Sequence, residues 1–164
     1  MGAQQGFKLI RDLVCKKSGL HFQPSKRQYV LRRLRRRMEL HGCHHLTDYY
    51  TILESDGREL SELLNLLTTT ETYFFRNGQQ LKSFQEEVLP IFIQKKRETG
   101  ASHIHLWSAG CASGEEPYTL AMILLETLPD IDRWKISIVG TDINTQVLAK
   151  AKEGVYSARS LRDT

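Results

Sequence analysis

Residues 104–118 read IHLWSAGCASGEEPY, and this stretch decides the fold. Its apolar beginning predicts a buried strand, and Gly110 and Gly114 then give a turn that lets a ligand approach the backbone closely. Pro117 suits the first turn of the helix that follows. A strand that passes through a glycine turn into a helix is typical of doubly wound α/β sheets, which bind nucleotides at the carboxyl edge of the first strand.

The region after this stretch predicts a second strand and a second helix. Residues 135–141 contain three large aliphatic side chains, and Asn144 or Thr145 caps a helix that ends at Gly154. Parallel strands need a long crossover connection, which this β-α-β-α arrangement provides. We therefore expect two parallel strands whose carboxyl ends meet at one edge.

The region before the stretch predicts helices. Four short segments show apolar side chains at helical spacing, with helix ends at Gly19 and Gly42 and helix starts near Thr47 and Arg58. The aliphatic side chains in these segments are numerous enough for a small core of their own.

These patterns divide the chain into three parts. A polar run, residues 68–72, breaks the helical pattern, and its threonines lower helix propensity, so we place a boundary there. We expect a small all-α domain over residues 1–72 and a linker helix over 73–100 that Pro90 ends or kinks. Residues 101–164 then form the first part of an incomplete Rossmann-like α/β domain.

Positive charge is concentrated in one segment. The formal net charge is +4, yet no acidic residue lies between Asp12 and Glu39. Such a segment attracts acidic partners, so nucleic acid, anionic lipid and an acidic protein surface are candidates, beside a merely solvated helix face. Helical projection turns four arginines away from the apolar stripe of this helix and towards solvent: Arg32, Arg33, Arg36 and Arg37.

Acidic residues near the glycine turn indicate the kind of ligand. The dinucleotide fingerprint G-x-G-x-x-G is absent, and Glu115 and Glu116 stand at the helix start, where they repel phosphate and attract a cation. Asp142, after the second strand, suits the hydroxyls of a ribose. Taken singly, the glycine turn with its two glutamates is also consistent with a purely structural turn, and Asp142 with a helix cap. Together they favour an adenosine ligand with a positive centre and no phosphate, such as S-adenosylmethionine.

Three segments resemble the chemotaxis-receptor methyltransferases, the CheR family. They are TTTETYFFR at residues 68–76, WSAGCASGEEPY at 107–118 and TDI at 141–143, and the arginine-rich helix of residues 26–42 is similar as well. The resemblance implies the Rossmann-like fold of class I methyltransferases. It also implies S-adenosyl-L-methionine-dependent methyl esterification of glutamate side chains on receptors, with S-adenosyl-L-homocysteine as the product.

The resemblance implies roles for particular residues. Arg76 is similar to the family's arginine beside the transferred methyl group, where it clamps the methionine carboxylate or orients the acceptor carboxylate as the catalytic residue. By its spacing alone, Arg76 is instead a surface arginine after an aromatic pair. Cofactor contacts would come from Thr70, Thr72, Arg76, Gly110, Glu116 and Asp142, and receptor contacts from Arg32, Arg33, Arg36 and Arg37. Thr70 departs from the asparagine often found there.

The expected partners are the acidic cytoplasmic helices of chemoreceptors. We expect no nucleic acid partner, because aromatic residues do not interleave the basic ones. We expect no membrane insertion, because no apolar run approaches the length that spans a bilayer. The N-terminus lacks a signal-peptide pattern and three separated cysteines indicate no disulfide scaffold, which favours the cytoplasm. The histidine-rich run 41–45 lacks the spacing of metal ligands, so no metal is expected.

The resemblance stops short of a whole enzyme. The family's later strands and motifs have no counterpart among the 164 residues, so we expect an amino-terminal fragment with weak or no activity alone. Two strands with open edges invite pairing, and we expect self-association through them. The alternative function is a basic helical module that recognises an acidic receptor helix or nucleic acid without catalysis.

Overall fold

Two hydrophobic cores organise the chain. In the computed structural model, which describes residues 3–162, one unit contains the residues up to Thr69 together with Ile143–Thr145. The other contains Thr70–Asp142 and the residues from Gln146 onward. The expected fold class is confirmed, because an all-α part precedes an incomplete Rossmann-like α/β part. Within residues 3–162, no helix is both long enough and apolar enough to cross a lipid bilayer.

The first unit is built mainly from helices with one apolar face each. Their bounds are α1 (Ala3–Ser18), α2 (Arg27–Leu40), α3 (Leu46–Ser55) and α4 (Gly57–Leu67). The predicted helix ends at Gly19 and Gly42 are confirmed, since both glycines have positive φ, 73° and 63°, the conformation of a helix C′ residue. The buried core consists of Ile10, Val14, Val30, Leu34, Met38, Tyr49, Leu53, Leu60, Leu63, Leu64 and Leu67.

Two helix starts in this unit differ from the prediction. The helix α3 begins at Leu46, so the predicted N-cap at Thr47 is wrong. Leu46 packs so closely on α1 that a Cβ added at Gly6 would lie 2.7 Å from the Cβ of Leu46. The first residue of α3 is therefore also a packing contact between α3 and α1, which a capping motif does not encode. The helix α4 begins one residue earlier than predicted, after Asp56, whose carboxylate accepts the N–H of Arg58 at 2.8 Å.

A helix that contains a π turn lies near the start of the second unit. The helix α5 (Gly78–Ser83), a π-helical turn (Phe84–Val88) and α6 (Leu89–Glu98) follow one another without a break. Pro90 therefore does not end the helix. It has no N–H to donate, and the wider turn immediately before it accommodates the missing hydrogen bond. The segment predicted as a linker belongs to the second unit, where Leu89 and Ile93 are buried.

The two strands are parallel, as predicted. The strand β1 (His103–Ala109) pairs with β2 (Lys135–Thr141) in a register that sets Ile104 opposite Ile136 and Ala109 opposite Thr141. Both strands therefore end at the same edge. The helix α7 (Glu115–Thr127) follows β1, and α8 (Thr145–Glu153) follows β2. Short 3₁₀ turns occupy Pro24–Lys26, Ile131–Arg133 and Ala158–Leu161.

The two faces of the strand pair differ in burial. Ile104 and Ser108 of β1 are buried on the covered face, where Ile104 shares a core with Leu124 of α7. On the opposite face Trp107 is 71% exposed, and Val139, its partner in the register, is 51% exposed. One face of this sheet therefore presents apolar side chains to solvent.

Candidate functional site

The glycine turn after β1 is fastened to the end of β2. The backbone N–H groups of Gly110 and Cys111 both donate to the carbonyl oxygen of Thr141, at 2.7 and 2.9 Å. The next N–H, that of Ala112, donates to the carboxylate of Asp142 at 2.9 Å. The turn and Asp142 thus lie together at the carboxyl edge of the sheet, which is where ligands bind in folds of this kind.

The two glycines of the turn have different roles. A Cβ added at Gly110 would have no atom within 4 Å, so the backbone there is open to a ligand. A Cβ at Gly114 would lie 2.8 Å from the hydroxyl of Tyr156 and 2.9 Å from the Cβ of Ala151. The expectation that both glycines admit a ligand is therefore wrong for Gly114, which instead allows this turn to pack against α8.

The two glutamates at the start of α7 also differ in burial and in role. Glu115 is only 3% exposed, and its carboxylate accepts the hydroxyls of Ser113 at 2.7 Å and Ser160 at 3.0 Å. Glu116 is exposed, and its carboxylate accepts the hydroxyl of the buried Ser108 at 2.6 Å. Glu115 therefore belongs to the protein framework, and Glu116 is the carboxylate available to a cationic ligand.

Four of the predicted site residues line one small cavity. Its volume is about 90 Å³, and the predicted residues in its wall are Thr72, Arg76, Gly110 and Glu116. The remaining wall residues are Glu71, Tyr73, Asn77, Leu81 and Thr119. Asp142 and the exposed Thr70 do not line this cavity. An acidic and a basic residue, Glu116 and Arg76, thus line a common space, which suits a ligand that carries both charges.

Arg76 is carried by a strained turn. The residues on either side of it, Phe75 and Asn77, have positive φ of 56° and 62°, which side-chain-bearing residues rarely adopt. The guanidinium donates to the carbonyl oxygen of Glu71 at 2.6 Å and lies 5.8 Å from the ring centre of Tyr73. Backbone strain of this kind persists where the surrounding structure imposes it and is frequent at functional sites.

Sequence reasoning missed two side chains that support the site. The hydroxyl of Ser108 holds Glu116, and the hydroxyl of Thr119 accepts the N–H of Phe75 at 3.2 Å. The position of Ser108 at the end of β1 is a signal that could have drawn attention to it. No pattern in the sequence marks Thr119, because it is one more small residue on the buried side of α7.

Cys111 lies in the turn but is not poised for nucleophilic chemistry. It is buried, and burial together with the nearby carboxylate of Asp142 raises the pKa of its thiol. A thiol with a raised pKa stays protonated at neutral pH and is a weak nucleophile.

The basic helix α2 presents only part of its charge to solvent. Arg32 and Arg36 are exposed, as predicted. Arg33 donates to the carbonyl oxygen of Leu66 at 2.6 Å, and its guanidinium stacks 3.4 Å from the ring centre of Tyr29. The expectation that all four arginines face solvent is thus wrong for Arg33, whose charge is used to hold α2 against α4.

The same expectation is wrong for Arg37, which binds a buried acid. Glu59 of α4 accepts hydrogen bonds from Arg37 on both carboxylate oxygens, from the Tyr49 hydroxyl at 2.5 Å, and lies 2.7 Å from Nε2 of His41. Burial alone would raise the pKa of Glu59, but the hydrogen bonds from Arg37, Tyr49 and His41 outweigh it and lower the pKa to about 2. This cluster is therefore an ionised anchor inside the helical unit.

Comparison with known proteins finds matches along nearly the whole chain. Residues 5–68 match the family described as CheR methyltransferase, all-alpha domain, and residues 70–164 match CheR methyltransferase, SAM binding domain. The chain is 41% identical to chemotaxis protein methyltransferase 2 of Vibrio cholerae over 156 residues, 94% of this chain and 53% of that protein.

Two further relatives give the same picture. The chemotaxis protein methyltransferase of Borreliella burgdorferi is 37% identical over 141 residues, which cover 84% of this chain and 50% of that protein. That of Escherichia coli is 33% identical over 160 residues, 96% of this chain and 52% of that protein. The chain therefore spans about half the length of the curated relatives it matches.

Proposed function

This chain belongs to the CheR methyltransferase family, and on that premise we propose that it holds S-adenosyl-L-methionine for the methylation of chemotaxis receptors. The proposed reaction converts glutamate side chains of the receptor into γ-methyl esters, which adjusts receptor output during sensory adaptation. S-adenosyl-L-homocysteine is the other product. The observation that carries the proposal is the cavity where Thr72, Arg76, Gly110 and Glu116 meet, beside a turn that holds Asp142.

The charges around the cavity fit the amino-acid end of this cofactor. That end carries an ammonium group and a carboxylate, which Glu116 and Arg76 would hold respectively. A cavity of about 90 Å³ is small beside the roughly 300 Å³ at the lower end of ligand pockets, so it suits only this end of the molecule. Asp142 would hold the ribose, Thr72 would contribute a hydroxyl in the cavity wall, and Thr70 is proposed as a contact at the rim.

The residues need to do little besides positioning. When bound, S-adenosyl-L-methionine supplies a methyl group that its sulfonium already activates. The acceptor glutamate is ionised at neutral pH, so no general base is required. Arg76 orients a carboxylate at the cavity, and Glu116, braced by Ser108, fixes the cationic end. Holding two reactants in line accounts for a large part of the rate enhancement in reactions of this type.

The exposed arginines of α2 are the proposed receptor contact. Arg32 and Arg36 point into solvent and Arg35 is exposed beside them, whereas Arg33 and Arg37 bind groups of α4. Helices that carry methyl-accepting glutamates are acidic, and a basic surface accelerates their encounter with the site. We place this encounter in the cytoplasm, in keeping with three cysteines that are all free.

A binding module without catalysis is the second candidate. It is favoured by the same exposed arginines, which belong to a helical unit with its own buried core. In that case the α/β part would serve as a scaffold, and an acidic receptor helix would be the ligand.

Calorimetry separates the two candidates. The chain is titrated with S-adenosyl-L-homocysteine, alongside Asp142→Ala and the control Asp132→Ala, which changes an exposed aspartate outside the turn. Loss of about tenfold or more in affinity in Asp142→Ala alone supports the methyltransferase site. Failure of the unaltered chain to bind the compound, with salt-sensitive binding of an acidic receptor peptide, supports the binding module.

A further inference from the structure

The strained turn that carries Arg76 must be held by its surroundings. Phe75 and Asn77 both adopt left-handed backbone conformations on either side of Arg76. Asparagine tolerates this conformation but phenylalanine does not, so without support Phe75 relaxes to a commoner conformation and the direction of the neighbouring Arg76 side chain changes with it. The contacts that hold this turn therefore set the direction in which the Arg76 side chain leaves the backbone, while the carbonyl oxygen of Glu71 binds its guanidinium at 2.6 Å.

Two backbone hydrogen bonds, one from Phe74 and one from Phe75, fix the chain just before Arg76. The N–H of Phe74 donates to the carbonyl oxygen of Ser160 at 2.8 Å, and its ring packs edge-to-face on Tyr156 with centres 4.9 Å apart. The N–H of Phe75 donates to the hydroxyl oxygen of Thr119 at 3.2 Å. The second contact acts on the strained residue itself.

Thr119 is buried and its hydroxyl has a defined direction. The residue is 1% exposed, and the hydroxyl donates to the carbonyl oxygen of Glu115, one turn earlier in α7, at 2.7 Å. Bonds of this kind within a helix are common for threonine and need no functional reason. Because the Thr119 hydroxyl donates its hydrogen to Glu115, the lone pairs of its oxygen accept the N–H of Phe75. The side chain also lines the cavity beside Arg76 and Glu116.

Glu115 also supports the turn that carries Arg76, through hydrogen bonds to two serines. Its carboxylate accepts the hydroxyls of Ser113 and Ser160, so it joins the glycine turn, the first turns of α7 and the 3₁₀ turn near the end of the described chain. Ser160 in turn accepts the N–H of Phe74. Glu115 thus links the segments that hold the Arg76 turn, whereas Glu116 is the glutamate proposed to bind the ligand.

We propose that Thr119 is a positioning residue that holds the strained turn and thereby aims Arg76 into the cavity. The role of Arg76 as a ligand-binding group rests on the proposed function, whereas the role of Thr119 in holding the turn rests on the contacts alone. The substitution Thr119→Val keeps the shape of the side chain and removes the acceptor for Phe75. Thr119→Ser keeps the hydroxyl and restores the contact.

The chain offers a matched control on the same helix. The hydroxyl of Thr127 is buried and has no hydrogen-bond partner within residues 3–162. Thr127→Val therefore changes the same group at a position where no hydrogen bond is lost. If Thr119 acts only by filling space in α7, the two valine variants behave alike.

The test combines amide exchange with ligand titration. We expect the Phe75 amide to exchange roughly tenfold faster in Thr119→Val, with shifted amide resonances for Arg76 and Asn77, and we expect Thr119→Ser and Thr127→Val to match the unaltered chain. Affinity for S-adenosyl-L-homocysteine should fall roughly tenfold in Thr119→Val only.

Each result has a separate meaning. Unchanged Phe75 exchange and unchanged Arg76 resonances in Thr119→Val overturn the proposal. Changed exchange with undiminished affinity shows that the turn is held but that Arg76 is not aimed by it, which also overturns the proposal. If the unaltered chain binds no S-adenosyl-L-homocysteine, the proposed function fails, while the resonances of Arg76 still decide whether Thr119 positions it.

Discussion

The carboxylate of Asp142 accepts the backbone N–H of Ala112 at 2.9 Å, and this contact joins the end of β2 to the turn after β1. Ala112 also has a positive φ of 45°, so the residue that makes this contact lies in a backbone conformation that alanine rarely adopts. A hydrogen bond to a charged acceptor is stronger than one between neutral groups, so it keeps the turn and the acid together. This contact therefore fixes the turn against Asp142 at the edge where we expect the ligand.

Glu116 should contribute more to cofactor binding than the serine that braces it. We expect Glu116→Gln to lower the affinity for S-adenosyl-L-homocysteine about tenfold to a hundredfold, because a charged partner of the ammonium is lost. Ser108→Ala should lower it by less, because the carboxylate stays and only its 2.6 Å brace is removed. Titration calorimetry of the two variants measures both effects.

Glu126→Gln is the control for this comparison, since Glu126 is exposed on the same helix and away from the cavity. Equal losses in Glu116→Gln and Glu126→Gln would indicate a general charge effect and contradict the assignment of Glu116.

The Glu59 cluster should make the helical unit sensitive to acid. The pKa of Glu59 is about 2 in the folded chain and 4.5 when unperturbed, so the folded state binds the proton more weakly. The stability that the ionised form contributes is therefore complete above about pH 4.5 and is lost as the pH falls towards 2. Urea unfolding followed by helical circular dichroism between pH 7 and pH 3 measures this slope.

Glu59→Gln should destabilise the unit by about 3 kcal/mol at pH 7, because it leaves the largely buried guanidinium of Arg37 without its charged partner. The variant should also show a shallower loss of stability between pH 4.5 and 3. The exposed Glu39 of α2 supplies the control, and Glu39→Gln should leave both quantities unchanged. A variant Glu59→Gln as stable as the unaltered chain would show that the cluster contributes little.

Charge reversal on α2 should weaken receptor binding. We expect Arg36→Glu to reduce the association rate with an acidic receptor peptide severalfold at low salt, and we expect the difference to shrink as salt screens the interaction. Arg58→Glu reverses another exposed charge, on α4, and is the matched control. Stopped-flow fluorescence with a labelled peptide gives the rates, and equal effects of both reversals would point to net charge rather than to this face.

Local patterns located the helices and strands, but they did not give the starts of α3 and α4 or the partners of charged groups. The bounds of β2 follow from aliphatic side chains between polar flanks, and packing of those side chains keeps the strand where the pattern puts it. Helical projection treats every arginine on the polar side as solvated. Arg37 is an exception to this rule because it binds Glu59, which is buried and lies 22 residues away in the sequence. No local pattern in the sequence predicts that an acidic residue is buried.

The candidate site shows the same limit. Its acidic and glycine residues stand at strand ends, where the sequence alone indicates them. Thr119 and Phe75 are 44 residues apart in the sequence, so no local pattern predicts their contact. Phenylalanine rarely adopts a left-handed conformation, so the sequence does not predict one at Phe75 either. Supporting contacts of this kind depend on the assembled fold.

The exposed face of the sheet should make the chain self-associate. Trp107 and Val139 stand side by side on that face, and the strands described here have one pairing neighbour each. Unpaired strand edges beside an apolar patch favour pairing between copies. We expect sedimentation velocity to show a weight-average mass that rises with concentration, and Trp107→Lys to lower it. Leu125→Lys, which alters an exposed leucine of α7 instead, is the control. A single monomeric species at every concentration would contradict the prediction. Equal effects of both variants would show that the exposed face of the sheet is not the surface through which the chain associates.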